Sequence, residues 1–323
     1  MTVVVFGIDA LDADLVDSAA HPHLTLADHR RIDTISSSTG EPSTHELWPT
    51  IITGLQPEDH GLTLDDGVAW ESPVLRAGSK ASDYVLPDSV QTQLGALLLN
   101  RTSADAFRTP SSYYAEHGIS TVFDDCTAKT IGIPNYVVDT DTDDREHQLR
   151  RNMGELFERD PESKGGHVSA DPVAFYEQCL EMAMIRTARI RRALRSRQYE
   201  LVFGYTSGLD LVGHVSYDRP ALQERAYEEL NDFVGELRGD LRDGDELVLV
   251  SDHGLQDGLH TDEAMIAATD RGAIGDVESV LDVRDALETE LDRHDHTPAS
   301  REREADIGDS SEVREQLEDL GYL

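Results

Sequence analysis

The chain has 323 residues, with 64 Asp and Glu against 28 Lys and Arg, and a formal net charge of −36. That length can bury a core, and a 38% hydrophobic content marks a globular chain. No window approaches the ~18 apolar residues of a membrane span. A surface of this sign excludes nucleic acid as an expected partner.

The acid is dispersed along the sequence, and Lys80, Lys129 and Lys164 are the only lysines. Such charge repels itself in dilute buffer. It is screened in molar salt, where the Debye length falls to ~3 Å. The expectation is a halophile that balances its medium with internal salt. The opening MTVVVFGIDALD has no basic segment and reads as a strand, so the expected location is the cytoplasm. Cys126 and Cys179 are too few for a disulfide framework or a thiolate metal site.

VVVFGI (3–8) is a continuous apolar run, as in a buried parallel strand. TIITGL (50–55) reads as a short helix after a turn. SVQTQLGALLLNR (89–101) reads as an amphipathic helix and STVFDD (120–125) as a strand. From about 139 to 170 the chain is a polar insertion. A long helix over 171–197 follows, with Asp171 as N-cap and Pro172 at its first position. YELVFGYT (199–206) is a strand, 219–241 a helix, and ELVLV (246–250) another strand. After a polar stretch from His294, a last short helix closes the chain. Strands alternating with helices predict one α/β domain over 1–323. Its sheet is mainly parallel, with helices on both faces.

Ligands of open parallel sheets collect at the carboxyl ends of the strands. Asp9 follows the first strand. Asp210 and His214, four apart, follow the strand at 199–206, and Asp252, His253 and then His260 follow ELVLV. Singly, each has an ordinary reading: a helix cap, a surface pair, a turn, a loop histidine. Together they offer six carboxylate and imidazole donors, a number that suits two divalent ions. In EPSTHELWPTIITGLQPEDHG (41–61), Thr44 stands at the expected start of a helix, where free N–H groups and the positive dipole end favour an anion. Thr44 reads as a plain cap or as a nucleophile beside a metal.

In this order, FGID (6–9), Thr44 ten residues before Gly54, DLVGH (210–214), SDHG (251–254) and His260 resemble the alkaline phosphatase superfamily. The branch they resemble within it is the type I phosphodiesterase/nucleotide pyrophosphatases. VESVLDVRDAL (277–287) and LEDLGYL resemble that branch's closing segments. The resemblance implies an alkaline phosphatase-like fold and a metal-dependent hydrolase of small phosphoryl esters, phosphodiesters first. Monoesters, phosphonates and non-catalytic anion binding are the alternatives. It implies two divalent metal ions, zinc or alternatively manganese. Asp9, Thr44, Asp252 and His253 would hold the first, and Asp210, His214 and His260 the second. Thr44 would attack phosphorus, and the backbone N–H of His45 would stabilise the equatorial oxygens.

The sequence also departs from the family pattern. Glu46 stands where members often carry Pro, which keeps Ser43 and Thr50 as fallback nucleophiles. Asp65 stands where nucleotide pyrophosphatases have Asn. His294 and His296 rival His260 as the third histidine. Neither cysteine lies in the motif a sulfatase needs.

Overall fold

A computed structural model of the protein describes residues 1–37, 40–63, 109–138, 156, 158–160, 162–275 and 277–293. The helix expected at 89–101 and the closing helix lie outside the described residues, as do Asp65, Lys80, His294 and His296.

The centre is a six-stranded sheet. Its middle strand β1 (Val3–Ile8) pairs in parallel with β6 (Leu201–Thr206) on one side and β7 (Glu246–Val250) on the other. All three are buried at every position, as expected of apolar runs covered on both faces. β3 (Ala128–Ile131) extends the parallel set beyond β6. Beyond β7 the order continues through β10 (Glu263–Ala268), which runs antiparallel, to β2 (Asp28–Asp33) at the edge.

Two apolar layers follow from the alternation of side chains along β1. Val4, Phe6 and Ile8 pack with α5 (Pro172–Ser196), α6 (Gly208–Ser216) and α7 (Pro220–Gly239). Val3 and Val5 face the other layer, with α2 (Thr44–Thr53) and α8 (Val283–Asp292). Short helices α1 (Pro22–Thr25), α3 (Pro57–His60) and α4 (Ser112–Glu116) fill gaps. The fold is therefore the expected α/β class with helices on both faces. Gly7 lies on the α2 side, where a Cβ would strike the Trp48 ring. Its lack of a side chain leaves room for the edge of that indole against the sheet.

The long helix forms as read. The Asp171 carboxylate accepts the Ala174 N–H at 3.1 Å, and Pro172 takes the first turn. Two readings are corrected. Residues 122–125 are turns and not part of a strand, because the Asp124 carboxylate folds back to accept from the Thr121 N–H (2.8 Å) and hydroxyl (3.1 Å). The strand lies further on, at β3. Thr44 is the first residue of α2, and the extended N-cap position belongs to Ser43. Within the expected polar insertion, β4 (Glu158–Arg159) and β5 (His167–Val168) form a small hairpin.

Candidate active site

The parallel strands end at one rim of the sheet, and the candidate residues gather there. Asp9 follows β1, held by its N–H donating to the Thr206 carbonyl at 3.0 Å. Asp252 and His253 follow β7. α6 starts just beyond β6, and its pitch puts Asp210 and His214 on one face. His260 sits on β9 (Leu259–Thr261), which pairs back on β8 (Gly254–Gln256) through the tight turn at Asp257 and Gly258.

These residues form two triads, Asp9–Asp252–His253 and Asp210–His214–His260, with donor atoms in each within 4.8 Å of one another. In the first, His253 Nε2 lies 3.3 Å from Asp9 Oδ1 and 3.5 Å from Asp252 Oδ2. In the second, Asp210 Oδ1 is 3.3 Å from His214 Nε2 and 3.4 Å from His260 Nε2. The rings of His253 and His260 stack at 4.0 Å and join the two groups. Thr44 Oγ1 stands against the first triad, 3.3 Å from Asp9 Oδ1 and 3.4 Å from His253 Nε2. Of the fallback hydroxyls, Thr50 is fully buried and engaged with the Glu46 carbonyl and His60.

Each imidazole is oriented by the main chain. Nδ1 of His214 meets the Gly258 carbonyl at 3.1 Å, that of His253 the Gly254 carbonyl at 3.1 Å, and that of His260 the Pro42 carbonyl at 2.9 Å. A carbonyl only accepts, so each Nδ1 carries a proton, and in the neutral ring each Nε2 presents its lone pair to the site. His214 and His260 then bring their Nε2 atoms to 3.0 Å. Two lone pairs at that distance repel unless a proton or a metal cation lies between them.

The charge balance leads to the same requirement. Burial, then the Asp252 and Asp210 carboxylates, push the Asp9 carboxyl well above the usual range. Burial raises Asp252 to about 6. Asp252 is fully buried, and neither of its carboxylate oxygens has a hydrogen-bond partner. Burial opposes the charge of Asp210 too, but His214 and His260 outweigh it and hold that carboxyl well below the usual range. In return Asp210 overcomes burial to raise His214, and takes His260 to about 9. Burial and the neighbouring His260 lower His253. Partnerless buried carboxylate oxygens and convergent imidazole lone pairs are what divalent cations need, and a mixed His/Asp set suits zinc. The donor set fits two such ions.

Three contacts were not apparent in the sequence. The Tyr205 hydroxyl donates to Asp9 Oδ2 at 2.5 Å, the Thr34 hydroxyl donates to the Asp252 carbonyl at 2.5 Å, and the Asn135 amide donates to the His45 carbonyl at 2.9 Å. Only Tyr205 left a signal. It lies one residue before the end of β6, opposite Gly7, and so two places from Asp9 across the register.

The site thus sets two candidate cation-binding triads beside a hydroxyl at a helix N-terminus. Residues 3–317 match the type I phosphodiesterase / nucleotide pyrophosphatase family, and the chain belongs to that family. It is a phosphoric ester hydrolase. No curated protein matches it in sequence. Among solved structures it is similar to a protein of Pyrococcus horikoshii, with 13% identity, 92% of this chain and 98% of that one covered, and a TM-score of 0.43. The alkaline phosphatase of the Antarctic bacterium TAB5 is similar at 10% identity, with 90% and 97% covered and a TM-score of 0.44. Murine ectonucleotide pyrophosphatase / phosphodiesterase 5 is similar at 15% identity, with 79% and 57% covered and a TM-score of 0.38. Among the described residues no helix is long and apolar enough to cross a membrane.

Proposed function

We propose that the protein hydrolyses small phosphodiesters with Thr44 as nucleophile and two divalent cations, zinc in preference to manganese. The observation that carries this reading is the meeting of two ligand triads with the Thr44 hydroxyl at one rim of the sheet. Asp9, Asp252 and His253, with Thr44, would hold one ion; Asp210, His214 and His260 would hold the other. When bound, such ions polarise phosphoryl oxygens and make a hydroxyl easier to ionise.

The chain's own groups do the rest. Thr44 Oγ1 attacks phosphorus and the leaving alkoxide departs in line, so one P–O bond forms as another breaks. Water then takes the phosphoryl group from Thr44 and restores the hydroxyl. α2 opens at Thr44, with its N-terminal end toward the site. The backbone N–H groups of Thr44 and His45 would stabilise the charge that develops on the equatorial oxygens. The Tyr205 hydroxyl holds Asp9 in place from behind.

The test is hydrolysis of bis-p-nitrophenyl phosphate in molar KCl with added Zn²⁺ or Mn²⁺. The salt is chosen because the dispersed charge of −36 calls for screening. Metal-dependent turnover by the wild type, lost in Thr44→Ala, is the expected result. Turnover kept in Thr44→Ala removes Thr44 as nucleophile. Turnover confined to p-nitrophenyl phosphate makes the enzyme a monoesterase.

A further inference from the structure

The helix that carries Thr44 contains a proline where none is expected. Pro49 is the sixth residue of α2, well past the first turn. A residue four places into a helix normally donates its N–H to the carbonyl behind it. Pro49 has no N–H, so the His45 carbonyl, next to Thr44, loses its partner within the helix.

A side chain from a different part of the chain takes the place of that donor. Asn135 lies just beyond β3, 5% exposed and with φ of 55°. Its Nδ2 donates to the His45 carbonyl at 2.9 Å. Its Oδ1 accepts from the Thr109 N–H (3.4 Å) and hydroxyl (3.2 Å), which fixes which end of the amide faces α2. Its own carbonyl accepts the buried Tyr114 hydroxyl at 2.8 Å. The loop behind it is pinned as well. Gly132 has φ of 68°, and the Arg186 guanidinium fills the space a side chain there would need. A rigid loop thus grips α2 one residue from the hydroxyl at the reacting end.

We infer that Asn135 is a positioning residue. By standing in for the N–H that Pro49 lacks, it fixes the first turn of α2 and so aims the Thr44 hydroxyl and the adjoining N–H groups. The inference rests on Thr44 as the nucleophile. It makes the active site depend on a segment far from every ligand in sequence.

The test is a double-mutant cycle. Asn135→Asp keeps the acceptor facing Thr109 and tolerates the positive φ, but puts an oxygen against the His45 carbonyl. Pro49→Ala gives back the N–H within the helix. The expected result is a fall in kcat on bis-p-nitrophenyl phosphate of roughly tenfold to a hundredfold in Asn135→Asp, with KM little changed. In the Pro49→Ala background the same substitution should cost less than about threefold. An equal cost in both backgrounds would overturn the inference. Asn135→Gly, which also accepts φ of 55°, replaces Asn135→Asp in the cycle if the latter does not fold. Amide exchange over residues 44–53 gives a readout without turnover, in chelated protein. Exchange should rise in the Asn135 variant and return towards the wild-type level when Pro49→Ala is added. Unchanged exchange also overturns the inference. A wild type without turnover would remove the nucleophile reading, while exchange would still decide whether Asn135 holds the helix.

Discussion

His60 offers a test of how α2, the helix that carries Thr44, is supported. It is 1% exposed, at the end of α3, behind α2. The Leu62 N–H donates to its Nδ1 at 3.2 Å, so the proton sits on Nε2 and is shared with Thr50 Oγ1 at 3.2 Å. A second proton would have to go on Nδ1, against that N–H, in a buried place. Burial accordingly lowers His60 from 6.5 to about 4. The unfolded chain therefore takes up the proton first. The stabilisation is complete above about pH 6.5 and is lost as pH falls through about 4. At 1.36 kcal/mol per unit the limit is about 3 kcal/mol, of which roughly 2 kcal/mol goes between pH 7.5 and 5.0. Urea unfolding at these two pH values, at fixed salt and with chelator, measures it. In His60→Gln, which has an acceptor and a donor but no titration, the loss between the two pH values should be smaller by about 2 kcal/mol. Equal losses in the two proteins would refute the argument.

Three further outcomes are expected. His260→Ala should lower bound zinc, measured by equilibrium dialysis, from about two to about one per chain; two retained ions would remove His260 from the ligand set. Chelation should lower Tm, because the buried Asp9 and Asp252 carboxyls lose their counter-charge; metal at a thousand times Kd contributes about 4 kcal/mol per site, and a Tm indifferent to metal would count against both sites. Gly7→Ala should push the Trp48 ring off the sheet and cost about 1–3 kcal/mol in unfolding free energy, whereas an unchanged Tm would show that the ring has room to move.

What the sequence revealed depended on how strongly each element was patterned. β1, β6 and β7 are buried along their whole length, so they read as apolar runs and pointed to the rim where Asp9, Asp210, Asp252 and His253 stand. α5 announced itself through Asp171 and Pro172. β2, DHRRID, is half-exposed and charged at the sheet edge, where charge guards against further pairing and hides the strand. β3 has only one buried residue, Ile131, and the apolar Val122 and Phe123 nearby drew the strand reading to the wrong place. The six triad residues were legible because strand ends repeat a simple rule. The Asn135 contact was not, because it depends on a loop folding across 90 residues of sequence to reach His45.

The three ring clamps have a consequence for how this site can change. The partners that orient His214, His253 and His260 are the carbonyls of Gly258, Gly254 and Pro42. No point substitution deletes a main-chain oxygen. The orientation of these rings is therefore shielded from most side-chain variation, and its vulnerable points move to the turns that aim those oxygens. Gly258, at φ of 81° with the Gly165 Cα only 2.8 Å from where its Cβ would stand, is one; Gly254, wedged between Asp12 and Thr261, is another. A side chain gained at Gly258 would turn the carbonyl that orients His214 and so disturb the second triad with every histidine still in place.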